Sequence, residues 1–287
     1  MLQTGLTNDS PVASNGRGNA LDRLLSTKSR HVFTGMYENL LTSDATSRPK
    51  VVLVCSASDG EGATTVASGL AIAAVEHGSG SVLLLDCNYR KPGISQVFGS
   101  ATTCRSSKAE PEGIQRYRDI PLSGALGLSD VLRGAPACQA IMTVSFDIPK
   151  ANGAKPTGAS VSNGEMLNEI DMQRQGSMIS LNLMGTGKNL KNHVQSFDPP
   201  RFRNLLDELL KLHTFIVVDG PPVNAFPESM LLASQVDCVL FVVQAGVTRS
   251  PVASKALTKL TAMGSAKIEV VLNRRVFAIP QAIYKRL

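Results

Sequence analysis

A chain of 287 residues with 43% apolar composition is long enough to bury the core of one large α/β domain or two small ones. Its formal net charge of +6 is modest, and with no Trp it offers no aromatic platform for stacking single-stranded nucleic acid. No apolar run approaches the roughly 18 residues of a membrane span. The polar stretch from Met1 to Gly18 lacks an apolar signal core, and the scattered cysteines (55, 87, 104, 138 and 238) lack metal-ligand spacing, so a reducing cytoplasm is the expected setting.

Residues 1–20, rich in Ser, Asn, Gly and Thr, read as a disordered tail, and 21–287 as a single domain. Leu21 to Leu25 and Phe33 to Leu41 have helical apolar spacing, which Arg48-Pro49 ends. Val51–Val54 and Val82–Leu85 are short, fully apolar runs of the kind buried in a parallel sheet. The small-residue stretch Val66 to Val75 between them predicts a helix, which completes a βαβ unit. Gly127 to Leu132 predicts a short helix with Ser129 or Asp130 near its start. From about 143 to 178 the pattern dissolves into Lys, Asn, Gly, Ser and Pro, which predicts a flexible inserted loop. Leu181–Met184 is a further strand, and Phe202 to Leu212 an amphipathic helix with Phe202, Leu205, Leu206, Leu209 and Leu210 on one face. Phe215–Val218, Cys238–Val243 and Ile268–Leu272 are three more apolar strands. Strands alternating with helices predict an α/β fold with a mostly parallel, doubly wound sheet.

Between the first strand and its helix lies Cys55-Ser56-Ala57-Ser58-Asp59-Gly60-Glu61-Gly62-Ala63-Thr64-Thr65. A P-loop needs this strand–loop–helix setting: backbone N–H groups and a helix N-terminus cradle the phosphates, a Lys reaches the β/γ oxygens and a hydroxyl ligates Mg²⁺. Gly60, Gly62 and Thr64 stand in their places, but Ala63 occupies the position of the Lys. Glu61 reads as a residue of turn geometry and solubility. Three more stations close apolar strands, where ligands bind in open α/β sheets: Asp86 with Arg90, Lys91 and Pro92 after it, Asp219 in Asp219-Gly220-Pro221-Pro222, and Asn273. A strand-end Asp suits a metal shell or a polarised water, and Asn273 suits a base edge. His77, His193 and His213 are isolated and read as structural, and Met166, Met172, Met178 and Met184 form no stripe.

With these stations in this order, the sequence resembles the bacterial tyrosine kinases of capsule and exopolysaccharide synthesis, a branch of the MinD/ParA-type P-loop ATPases. The resemblance covers roughly 30–100, 122–134 and 181–275. The family's loop, S-x-x-x-G-E-G-K-[ST]-T, matches Ser56 to Thr65 except at Ala63. Its D-x-D-x-R-x-P motif matches Asp86, Arg90 and Pro92 with Asn88 in place of the second Asp, and its D-x-P-P motif matches Asp219, Pro221 and Pro222. Gly127 to Gly134 and Arg201 to Leu209 are also similar. The family's ring-forming E-x-x-R-x-x-R falls on His31, Thr34 and Tyr37, and its C-terminal tyrosine cluster is reduced to Tyr284.

The resemblance implies ATP or ADP with Mg²⁺ as ligands. Gly60, Gly62, Ala63, Thr64 and Thr65 would lie at the phosphates, Thr64 and Asp86 at the metal, Asp86, Asp219 and Arg90 at the chemistry, and Asn273 at the base. It implies an inner-membrane polysaccharide co-polymerase of the Wzz-like kind as partner, a cytoplasmic chain peripheral to that membrane, and leaves a homo-oligomer open. Three functions compete. A regulatory pseudo-kinase fits the altered Lys, second Asp, ring motif and tyrosine tail. An active tyrosine autokinase would have to make good a cationic donor whose loss costs about 10²–10³ in rate. A ParA/MinD-type positioning ATPase would use the basic residues Arg274, Arg275, Lys285 and Arg286 on membrane or DNA, although such proteins need a lysine in the loop.

Overall fold

The fold is seen in a computed structural model, described over residues 2–3, 20–42, 48–98, 105–106, 125–148, 177–187, 198–264 and 267–275. The strands are β1 (Leu2–Gln3), β2 (Val51–Ser56), β3 (Val82–Asp86), β4 (Arg105–Ser106), β5 (Met142–Ile148), β6 (Ser177–Met184), β7 (Phe215–Asp219), β8 (Cys238–Gln244) and β9 (Lys267–Asn273). They form one sheet in the order β1-β9-β8-β2-β7-β3-β6-β5-β4. From β1 to β6 in that order all neighbours are parallel, while β5 and β4 add antiparallel pairs at one edge. This is the mostly parallel α/β sheet that the alternation of strands and helices predicts.

The central runs are apolar at every position because both faces are covered. Val52, Val54, Leu84, Val217 and Leu240 face one core, and Val51, Leu53, Cys55, Leu83, Ile216 and Val239 the other. On the first face lie α1 (Ala20–Leu24), α2 (Thr27–Thr42) and α3 (Ala63–Glu76). Helix α3 is built of small residues, and Gly69 is where α2 lies on it: a Cβ there would run into the Phe33 ring. The Arg30–Glu76 ion pair at 2.6 Å ties the far ends of these two helices. Short α4 (Ile94–Phe98) follows β3, and α5 (Leu128–Val131) and α6 (Ala137–Ala140) precede β5. The second face carries α7 (Pro199–Leu209), α8 (Glu228–Ala233) and α9 (Ser250–Ala262).

Three expectations change. Leu2–Gln3, expected in a disordered tail, pairs with Val271 and Leu272, because the open edge of β9 offers unpaired backbone groups to any extended segment. The inserted loop does not span 143–178. Met142–Ile148 and Ser177–Met184 form an antiparallel hairpin in continuous register, with Ile148 opposite Ser177. Met142, Val144 and Phe146 are buried at period two, a signal diluted by the polar residues of the other face. The rest of that loop, 149–176, lies outside the described residues. The amphipathic helix ends at Leu209 rather than Leu212, since Leu212 turns outward and is 60% exposed. No helix among the described residues is long and apolar enough to cross a membrane.

Candidate nucleotide site

The strand order places the chemistry. Chain order runs β2 to β3, but β7 is inserted between them, so three strand ends converge: β2 with its loop, β7 with Asp219 and β3 with Asp86. Asp86 and Asp219 are register partners in adjacent parallel strands. Their side chains are 1% and 0% exposed. The Asp86 carboxylate accepts hydrogen bonds from the backbone N–H groups of Asn88 (3.0 Å), Gly93 (3.1 Å) and Ile94 (3.3 Å). Burial nonetheless pushes Asp86 up to about 7 against those three donors. Asp219 is raised well above the ordinary range, first by burial and then by the charge of Asp86. Neither of its oxygens makes a hydrogen bond of ordinary geometry, although the Thr64 hydroxyl lies close enough to oppose the rise. Two buried carboxylates, one of them without partners, call for a proton or a cation between them.

The loop is held open by its surroundings. Gly60 and Gly62 have φ of 83° and 95°, a region costly to other residues. Gly62 precedes α3, and no side chain caps that helix, so its first N–H groups point outward, as anion binding requires. A Cβ on Gly62 would meet the Asn273 amide, and one on Gly93 would meet the Thr64 side chain, so the turn after β3 lies directly on Thr64. Ala63 opens α3 and its methyl packs against the first core.

Glu61 serves turn geometry, as expected, but it does so from inside the loop and not as a solubilising residue. It is 4% exposed, and Oε2 accepts from the N–H groups of Ala57 (2.8 Å) and Ser58 (3.1 Å) while Oε1 accepts from the Thr248 hydroxyl (2.6 Å). It is an internal hydrogen-bond acceptor around which the loop folds. Asn273 donates from Nδ2 to the Glu61 carbonyl (2.8 Å), bracing the loop, and accepts at Oδ1 from the Arg274 N–H (2.8 Å), so both its polar atoms are engaged. Arg274, expected only as part of a basic patch, reaches from Nη1 to the Gly60 carbonyl (3.0 Å) and Gln244 Oε1 (3.1 Å).

Of the sequence candidates, Gly60, Gly62, Ala63, Thr64, Asp86 and Asp219 come together, with Thr65 exposed at the start of α3. Arg90 does not join them: it is exposed and its guanidinium lies over the Phe226 ring, 5.0 Å from the centroid. Asn88 stabilises the turn below, accepting from the Lys91 N–H at 3.2 Å. Tyr37 is turned into the core, edge-on to Phe215. His213 is buried with Nδ1 on the Ser81 hydroxyl (2.8 Å) and is structural. Tyr284, His193, Met166, Met172, Lys285 and Arg286 lie outside the described residues.

No cluster of three His, Cys, Asp or Glu able to hold a metal occurs among the described residues. Two carboxylates and a hydroxyl are, however, the oxygen donors a Mg²⁺ ion takes when phosphate and water complete its shell. The orphaned oxygens of Asp219 thus fit Mg²⁺, and the uncapped loop fits a polyphosphate without its lysine.

No family model matches the chain. It is 22% identical over 242 residues to a putative tyrosine-protein kinase CapB of Staphylococcus aureus, covering 84% of this chain and 82% of that one. It is 21% identical over 225 residues to the tyrosine-protein kinase CpsD of Streptococcus agalactiae, covering 78% and 75%. Among solved structures it resembles the VpsO kinase domain (26% identity, TM-score 0.60, 88% and 97% covered) and the kinase domain of the Escherichia coli tyrosine kinase ETK (15%, TM-score 0.62, 97% and 92% covered). It also resembles MinD in the MinC:MinD complex of Aquifex aeolicus (18%, TM-score 0.50, 83% and 72% covered). Its homologues are therefore bacterial tyrosine kinases, and its fold is that of their kinase domains and of the MinD/ParA P-loop ATPases.

Proposed function

We propose that this chain is a regulatory relative of the capsule tyrosine kinases. It binds a magnesium nucleotide on a preformed loop, transfers phosphoryl groups slowly or not at all, and acts in the cytoplasm on an inner-membrane polysaccharide co-polymerase. The observation that carries this reading is the pairing of Ala63 with an otherwise complete cradle: the loop braced by Glu61 and Asn273, and the carboxylates of Asp86 and Asp219 in register. The N–H groups at the start of α3 would hold the phosphates, Thr64 and Asp219 the metal, and Asp86 would orient the turn from Asn88 to Ile94 beside it. A bound Mg²⁺ would supply the positive charge that neutralises the phosphate oxygens. No lysine follows Gly62 to stabilise charge on a transferring phosphoryl group, and Arg90, stacked on Phe226, does not replace it.

Calorimetry of Mg·ADP and Mg·ATP binding to the native chain and to Ala63→Lys tests this. A charge-assisted hydrogen bond is worth about 1.5–3 kcal/mol, so the variant should bind about 10–100-fold more tightly than a weakly binding native chain. The native chain should give no phosphotyrosine with Mg·ATP. Robust autophosphorylation would instead establish an active kinase, and failure of both proteins to bind would remove the nucleotide reading.

A further inference from the structure

A guanidinium reaches the loop from far along the chain, that of Arg274. Arg274 follows β9, and its φ of 54° makes it the only non-glycine residue with positive φ among the described residues. That left-handed backbone is uncommon for a long side chain, and conformations of this kind persist where the surroundings hold them. Here the Arg274 N–H is bound by Asn273 Oδ1, and the bend turns the guanidinium back over the loop. There Nη1 rests on two neutral oxygens, the Gly60 carbonyl and Gln244 Oε1, and among the described residues Arg274 forms no ion pair with a carboxylate. A guanidinium has five N–H donors in a fixed fork, so donors remain for an anion.

The sheet order fixes the side from which this charge acts. Asp86 and Asp219 end β3 and β7 on one side of β2, whereas Gln244 and Arg274 end or follow β8 and β9 on its other side. A polyphosphate cradled by the loop would have its metal-bound end at the carboxylate pair and the rest of its length toward Arg274. We propose that Arg274 is the cation of the nucleotide site, contacting the phosphates of a nucleoside polyphosphate from the β9 flank and so making good the binding charge withdrawn at Ala63. The inference rests on the nucleotide reading above. It also separates binding from transfer, because a charge remote from the carboxylates strengthens the hold on phosphate without serving the reacting end.

The experiment is calorimetry of Mg·ADP, magnesium pyrophosphate and adenosine with the native chain, Arg274→Gln and Arg274→Lys, repeated in an Ala63→Lys background and at two salt concentrations. Arg274→Gln should weaken ADP and pyrophosphate about tenfold or more, leave adenosine unchanged and flatten the salt dependence. Arg274→Lys should recover part of the loss, and the ligand-free melting temperature of Arg274→Gln should stay within about 2 °C of native. Equal loss for adenosine would mean that Arg274 stacks on the base or merely braces the loop, and would overturn the proposal, as would no loss for ADP. If the native chain binds nothing, a loss on Arg274→Gln in the Ala63→Lys background upholds Arg274 while the native nucleotide reading falls. If the Ala63→Lys protein binds nothing either, both fall.

Discussion

Asp86 and Asp219 give the site its pH dependence. Both carboxyls lie above the ordinary value of 3.8 in the fold, Asp86 at about 7. The folded chain therefore binds more protons than the unfolded one between about pH 4 and pH 7, so this pair favours the fold on the acidic side and loses that contribution as pH rises through the window. The melting temperature of the ligand-free Asp219→Asn variant should gain on the native protein as pH goes from 5 to 8. A native-to-variant difference that does not change with pH would contradict the shared burial of the two charges. Glu61 is a different kind of carboxylate, one with every oxygen in use. Glu61→Ala would leave the N–H groups of Ala57 and Ser58 without their acceptor, at a cost of about 1–3 kcal/mol in urea unfolding, and Glu61→Gln should lose less. The acids, glycines and hydroxyls of the site were legible in the sequence because strand ends and loop spacing announce them. The roles of Glu61 and Asn273 were not, since their contacts reach residues about 190–210 positions away in sequence, Thr248 for one and the loop itself for the other.

Helix α3 connects the loop to the core, and its packing depends on having almost no side chains where α2 crosses. Gly69→Ala would force its Cβ into the Phe33 ring and should cost about 1–3 kcal/mol by chemical denaturation. Phe33→Leu in the same chain should recover part of that loss if the collision is its cause, and a purely additive double variant would rule the collision out. Parallel strands such as Val51–Ser56 and Val82–Asp86 were readable because burial on both faces leaves uninterrupted apolar runs. The hairpin of β5 and β6 was not, because Thr143 and Ser145 alternate with its buried residues and a long insertion parts its strands. The amphipathic face of α7 was legible, but not its end, because Leu210 and Leu212 continue the apolar count past the last helical turn.

For the molecule as a whole, the direct pairing of Ile148 with Ser177 means that residues 149–176 leave and rejoin the sheet at neighbouring points. Replacing 149–176 by Asn-Gly should therefore leave cooperative unfolding intact and the melting temperature within a few degrees, since closing a longer loop costs only about 0.6 kcal/mol per doubling of length. Loss of cooperativity in a thermal scan would show that the segment carries part of the core. Doubly wound topology was predictable from the alternation of elements, whereas the added edge strand Leu2–Gln3 was not, since two residues carry no periodicity.

The bracing of the loop also has a bearing on biosynthesis. Its glycines emerge early, but Asn273 grips the Glu61 carbonyl from 212 residues downstream and Arg274 the Gly60 carbonyl from 214. A ribosome making this protein would have translated β2, the loop and α3 long before the strands that flank and steady them, β7, β8 and β9, exist. Contacts of such sequence separation form slowly, after the entropy of a long closure has been overcome. A nascent chain would thus lack these two downstream contacts on its glycine loop until almost all of the described fold had been synthesised, and a fully braced loop becomes a sign that the sheet is complete.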